Sequence, residues 1–189
     1  MNGIEAIAIG TSAGGVQALL EVLPALPASL PVPVFVVVHI PADRSNVLAP
    51  LFASKCKIAV KEAEDKEAAL PGVVYFAPSD YHLLVEANGD LALSSDEWVN
   101  FSRPSIDVLF ETASDTYGER LLAVLMTGAN DDGARGLAAV AAAGGHVIVE
   151  NPVTASVRAM PDAGLKFCPT ARIETLQGIV DQLKAIAIQ

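Results

Sequence analysis

The chain has 189 residues, 52% of them hydrophobic and 18% charged, with a formal net charge of −10. That length fits one domain with one large core, and the apolar content excludes a disordered chain. No apolar run reaches the ~18 residues of a membrane span, no basic-then-apolar leader opens the chain, and the acidic balance argues against nucleic-acid backbones and anionic membranes as partners.

In chain order, Ile4–Ile9 is a short apolar run that predicts a buried strand. It leads into Gly10, Thr11, Ser12 and Ala13, then Gly14 and Gly15, which allow a sharp turn, and a helix over Val16–Leu23 that stops at Pro24. Val34–His39 predicts a second strand, and Asn46–Phe52 a helix capped by Ser45. The charged stretch Lys61–Glu67 is expected as a solvated loop or helix, and Val73–Ala77 as a third strand. Tyr81–Glu86 and Leu91–Ser94 flank Asn88-Gly89, a two-residue hairpin signal. A helix over Ser105–Thr116 carries Ser105 at its cap and Asp107 in its first turn. Leu121–Met126 is a strand, Gly133–Ala143 an alanine-rich helix ended by Gly144-Gly145, and His146–Glu150 another strand. Thr175–Ile186 closes the chain as an amphipathic helix. Val- and Ile-rich strands alternating with helices predict an α/β fold with a parallel sheet covered on both faces, plus one antiparallel hairpin.

Three of the strand ends offer candidate residues for chemistry. In such sheets, sites form beyond the carboxyl ends of the strands. Ser12 stands after the first strand, where the amides and dipole of the following helix would favour anionic chemistry, although serine is also an ordinary helix cap. His39 ends the second strand. The loop Thr127–Gly133 follows the Leu121–Met126 strand and offers Asp131 and Asp132, between which the pattern alone does not choose. Imidazole can take the proton of a serine hydroxyl near neutral pH, and a carboxylate can fix the imidazole tautomer. No G-x-S-x-G elbow is present. Cys56 and Cys168 have no metal-ligand spacing and fit free thiols in a reducing, cytoplasmic setting.

Five colinear motifs then give a family resemblance. They are Ile7-Ala-Ile-Gly-Thr-Ser-Ala-Gly-Gly15, Val37-Val-His-Ile-Pro41, Tyr75-Phe-Ala-Pro-Ser-Asp-Tyr-His82, Arg103-Pro-Ser-Ile-Asp-Val-Leu-Phe110 and Thr127-Gly-Ala-Asn-Asp-Asp-Gly-Ala-Arg-Gly136. Together they resemble the catalytic domain of the CheB-type protein-glutamate methylesterases of bacterial chemotaxis. The resemblance implies a three-layer, Rossmann-like α/β/α sandwich filling residues 1–189; full-length members usually add an N-terminal receiver domain, which is not read in this chain, so the chain is expected to be either an excised catalytic domain or a stand-alone member. It implies Ser12 as nucleophile, His39 as general base and Asp132, rather than Asp131, as the triad acid. It implies an oxyanion hole from the backbone amides of Ala129 and His39. The substrate it implies is glutamyl methyl ester on the cytoplasmic helices of chemoreceptors or a related signalling protein, with glutamine deamidation as a further activity of many members. No cofactor, metal or membrane insertion is implied, and a regulatory partner could replace the receiver domain.

Ala13 stands where the family usually has threonine, and Ala129-Asn130 where it usually has Met-Gly; Asn130 would tolerate a positive φ. His82 and Arg103 are placed beside the substrate cleft, with a structural histidine as the other reading of His82. Arg103 and Asp107 could pair at the helix start, or Arg103 could meet an acidic receptor surface. His146 reads as structural, and Trp98 as a contact residue or a cap on the core. The competing functions are a nucleotide-binding α/β domain and a catalytically weakened module that binds receptor or another signalling protein. The first lacks G-x-G-x-x-G, G-K-[ST] and a clear ribose-binding acid. The second is motivated by Ala13, Ala129 and Asn130.

Overall fold

In the computed structural model, residues 3–39 and 47–188 are described. The strands are β1 (Ala6–Thr11), β2 (Val34–Val38), β3 (Ala59–Glu62), β4 (Val73–Phe76), β5 (His82–Val85), β6 (Leu91–Ser94), β7 (Leu121–Leu125), β8 (His146–Glu150) and β9 (Arg172–Glu174). The helices are α1 (Gly15–Val22), α2 (Leu48–Ala53), α3 (Ile106–Tyr117), α4 (Ala134–Ala142), α5 (Ala159–Phe167) and α6 (Leu176–Ile186). Seven strands form one sheet in the order β3-β4-β2-β1-β7-β8-β9, and every pairing in it is parallel. β5 and β6 form a separate antiparallel pair. This is the expected doubly wound α/β architecture.

Alternation along the strands divides the interior in two. Ile7 and Ile9 of β1, Val34, Val36 and Val38 of β2, and Leu122 and Val124 of β7 face α1, α2 and α6. Ala6 and Ala8, Phe35 and Val37, and Leu121, Ala123 and Leu125 face α3, α4, α5 and the hairpin. Residues of β1, β2 and β7 are buried throughout, which explains their unbroken apolar runs. On the second face β1 is small at each step: Ala6, Ala8, then Gly10. A Cβ on Gly10 would collide with Cγ2 of Ile106, so the missing side chain lets α3 settle against the central strand.

Several expectations need correcting. The Lys61–Glu67 stretch begins as strand: Lys61 and Glu62 belong to the edge strand β3, and Lys61 Nζ pairs with Glu64 and Glu67 at 2.7 and 2.8 Å. A charged edge strand is one that resists further pairing. The hairpin loop has three residues rather than two. Glu86 N–H donates to Asp90 O at 2.8 Å, and Gly89 closes the loop at φ 87°. Helix α5 and strand β9 were not foreseen. The helix expected from Asn46 is seen from Leu48; its predicted cap, Ser45, lies outside the described residues, as does Asn46. No helix is long and apolar enough to cross a membrane among the described residues.

Candidate functional site

The register of the sheet sets the site. Thr11 is the partner of Val38 across β1 and β2, so Ser12 and His39 are the next residues along two adjacent parallel strands. Neighbouring strands run about 5 Å apart, which places both side chains at one carboxyl edge. β7 borders the other side of β1, and its continuation fixes the Ser12 turn through Thr127. The Thr127 carbonyl accepts from Ser12 N–H at 2.9 Å and from Thr11 Oγ1 at 2.7 Å. Thr127 Oγ1 donates to Ala13 O at 2.8 Å and accepts from Val157 N–H at 2.9 Å. The Thr127 N–H donates to Glu150 Oε2 at 2.8 Å. Gly14, at φ 81°, then turns the chain into α1, where a Cβ would meet Ser156 and Thr127.

The same loop carries Asp132 into the interior. Its side chain is 0% exposed, and His39 Nε2 lies 2.8 Å from Oδ2. Ile106 N–H also donates to Oδ2, at 2.6 Å. Oδ1 accepts from Asn100 Nδ2 and Ser105 Oγ, both at 2.8 Å, and from Asp107 N–H at 3.2 Å. Burial alone would push the Asp132 carboxyl up. The donors from His39, Asn100 and Ile106 outweigh that and hold it below the ordinary aspartate range. Asp132 is therefore an anion at neutral pH, and an acceptor-only carboxylate makes Nε2 the donor of the His39–Asp132 bond. His39 Nδ1 is buried and has no hydrogen-bond partner among the described residues. The imidazole is thus anchored through Nε2, and Nδ1 is its other ring nitrogen. Ser12 is half-buried, and no hydrogen bond from its Oγ is formed among the described residues. In free enzymes such links are often open and close around substrate.

The other acid in the loop, Asp131, is exposed. Asn130 does not take a positive φ; the left-handed residue of the loop is Gly133, at φ 92°, and Asn130 Oδ1 instead accepts from Asp132 N–H at 3.3 Å. The expected oxyanion pair is altered. The His39 N–H is spent on Thr11 O at 3.1 Å, one more rung of the β1–β2 ladder. The Ala129 N–H has no partner among the described residues, nor has that of Ala13. Both residues are exposed at the site.

His82 does not face the reacting groups. It is 2% exposed; Nδ1 accepts from Ser105 N–H at 3.1 Å and Nε2 donates to Glu97 O at 3.0 Å. It is a strut under the start of α3. Arg103 does not pair with Asp107. Its guanidinium grips Asp80 at 2.6 Å and the carbonyls of Ser95 and Asp96 at 2.7 and 2.9 Å. Asp107 is buried and accepts from Gly136 N–H at 2.7 Å. Trp98 caps no core: it is mostly exposed, with Arg103 6.0 Å from its ring centroid. Sequence reasoning passed over Asn100 and Glu150. The first lies in an ordinary-looking loop, and the second ends a strand where only burial marks it. No group of three or more metal-binding side chains occurs among the described residues.

Fold and site together define a class: a doubly wound α/β domain whose central strand presents a serine between an acid-anchored imidazole and the acid's own loop. The family model described as CheB methylesterase matches residues 7–183. A Leptospira interrogans protein carrying a provisional protein-glutamate methylesterase/protein-glutamine glutaminase name is 44% identical over 177 residues, 94% of this chain and 92% of that one. Protein-glutamate methylesterase/protein-glutamine glutaminase 1 of Carboxydothermus hydrogenoformans is 35% identical across 97% of this chain and 56% of its own length. The chain thus spans about half of that relative. The crystal structure of the Thermotoga maritima CheB methylesterase catalytic domain superposes with a TM-score of 0.92 at 34% identity, covering 97% of this chain and 98% of that one. The chain belongs to the CheB methylesterase family. Neither competing function, nucleotide binding or weakened binding module, is favoured by these matches.

Proposed function

We propose that this domain hydrolyses glutamyl γ-methyl esters on the cytoplasmic helices of chemoreceptors, and γ-amides of glutamine by the same route. The observation that carries the reading is the 2.8 Å pair between His39 and buried Asp132, with His39 in register beside Ser12. The names of the relatives supply the substrate class. His39 Nδ1 takes the Ser12 proton as Oγ attacks the γ-carbonyl carbon. Asp132 stabilises the imidazolium formed. The negative oxygen of the tetrahedral intermediate is met by the Ala129 N–H, a donor type typically worth about 3 kcal/mol. Collapse breaks the bond to the methoxy oxygen, which leaves as methanol with the proton from His39. Water, deprotonated by His39, then opens the acyl-enzyme, releasing glutamate and restoring the serine. For glutamine the leaving group is ammonia. The two free cysteines fit a cytoplasmic site of action.

The test is methanol release from a methylated receptor fragment, together with labelling by a fluorophosphonate probe. Ser12→Ala is expected to abolish both while the fold is kept. Undiminished methanol release by that variant would refute the proposal.

A further inference from the structure

Asn100 lies between two buried acids. It sits in a tight turn in which Val99 N–H donates to Ser102 O at 3.2 Å and Ser102 N–H to Val99 O at 2.9 Å. Asn100 and Phe101, the two residues between, are both left-handed, at φ 51° and 60°. That backbone is the one a two-residue turn of the I′ kind requires, and asparagine tolerates it better than most residues. The turn aims the amide inward. Asn100 Nδ2 lies 2.8 Å from Asp132 Oδ1 and 2.7 Å from Asp107 Oδ2. One NH2 group thus spends both hydrogens, one on each carboxylate.

We infer that Asn100 is a positioning residue for the triad carboxylate: its amide holds Asp132 Oδ1 in place and screens it from Asp107, so that Oδ2 stays turned to His39. The inference rests on the proposed roles of Ser12, His39 and Asp132. The geometry that carries it is the division of labour on Asp132. Oδ1 is saturated by three donors, from Asn100, Ser105 and Asp107 N–H, which leaves Oδ2 to Ile106 N–H and the imidazole. Asn100 is the member of that set that also reaches the second acid. An amide suits the place because it donates twice and never ionises. A water could exchange, and a second carboxylate would add a charge. Burial pushes Asp107 up, with Asp132 as a like charge nearby, so these acids compete for protons. The groups that face the pair are His39 from the end of β2, Ser105 and Ile106 N–H from α3, and Gly136 N–H from α4, with Glu111 and Arg135 further out.

Two variants isolate the amide. Asn100→Gly keeps the left-handed backbone without strain and removes both donors. Asn100→Asp keeps the shape and places an acid between two acids. The first readout is the pH profile of the rate at which a fluorophosphonate modifies Ser12. The second, independent of catalysis, is the NMR titration of the His39 imidazole. In Asn100→Gly the maximal labelling rate is expected to fall about tenfold to a hundredfold, the scale of a lost charge-assisted hydrogen bond, with the concentration for half-maximal rate unchanged. An Asp132 short of a donor is more basic, so it either takes a proton itself or holds the imidazolium more tightly. Both routes move the acidic limb upward, by about half a pH unit or more. The His39 titration is expected to move with it, and Asn100→Asp to show the larger rate loss. Rate loss with an unmoved profile and an unmoved His39 titration in both variants would overturn the role, leaving Asn100 as part of the fold only. If Asn100→Gly does not fold, the titration of Asn100→Asp decides. Failure of the wild-type chain to label would sink the proposed function, whereas the His39 titration would still judge Asn100.

Discussion

Gly10→Ala adds one methyl group at the place where the central strand meets α3. The new Cβ would overlap Cγ2 of Ile106 and lie 3.1 Å from its Cγ1 and 3.2 Å from its Cβ. Ile106 is fully buried and cannot swing into solvent. The helix must therefore shift, and overpacking of this kind costs about 1–3 kcal/mol. For a chain of this size each kcal/mol lowers Tm by about 2–4 °C, so the loss is roughly 2–12 °C. The shift has a second effect, because the Ile106 N–H bonded to Asp132 Oδ2 moves with the helix. Ile106→Ala by itself leaves a cavity and costs about 2–5 kcal/mol. In the double variant the new methyl occupies part of that cavity, so the two costs do not add. The expected shortfall from additivity is about 1 kcal/mol or more, within the usual range for residues in contact. Urea unfolding followed by circular dichroism measures all three variants. A Gly10→Ala chain within about 0.5 kcal/mol of wild type, the scatter of neutral surface changes, would refute the packing account. So would strict additivity.

Two further outcomes follow from backbone strain and from buried charge. Phe101 is 95% exposed yet left-handed, so its ring gains little from the fold while its backbone is strained. Phe101→Gly should exceed Phe101→Ala in unfolding free energy by about 1 kcal/mol; equal stabilities would show that the turn relaxes freely. Glu150 is buried at the end of β8, and burial pushes its carboxyl up despite the bond from Thr127 N–H. Its ionised form is thus disfavoured in the folded state above that raised pKa, and the cost disappears as pH falls through it. Glu150→Gln keeps an acceptor for Thr127 and removes the charge. Its Tm should exceed that of wild type at pH 8, with the gap closing on acidification; a gap that widens toward acid would contradict the sign.

Strands buried on both faces announced themselves as Val- and Ile-rich runs, so β1, β2, β4, β7 and β8 were legible from the chain. The two outermost strands were not. β3 (Ala-Val-Lys-Glu) and β9 (Arg-Ile-Glu) are short and charged because an edge faces water, and that removes the apolar signal. Helix α5 gives a weak helical pattern because it carries Pro161 and Gly164, two residue types that are poor in helix interiors. In the structure Pro161 sits in the first turn, where no intrahelical N–H is needed, and Gly164 passes so close to Leu125 that a Cβ would lie 2.8 Å from its Cδ2. At the site, Ser12 and His39 could be placed from strand ends alone, since register does the rest. The choice of Asp132 over Asp131 needed the resemblance, and the structure separates them by burial. Asn100 was invisible because its contacts depend on two left-handed residues in succession, one of them a phenylalanine that gives no turn signal. The engagement of the His39 amide by Thr11 could be known only once the ladder was seen to run one residue past the strand.

His39 and Asp132 are 93 residues apart and arrive from opposite flanks of β1. Neither half of the sheet owns the chemistry. A nascent or half-zipped chain that has joined β1 to β2 but not yet to β7 displays an alcohol and an imidazole with no anion to orient them. The reaction proposed above therefore needs both flanks of β1 in place, the β2 side for the imidazole and the β7 side for the anion.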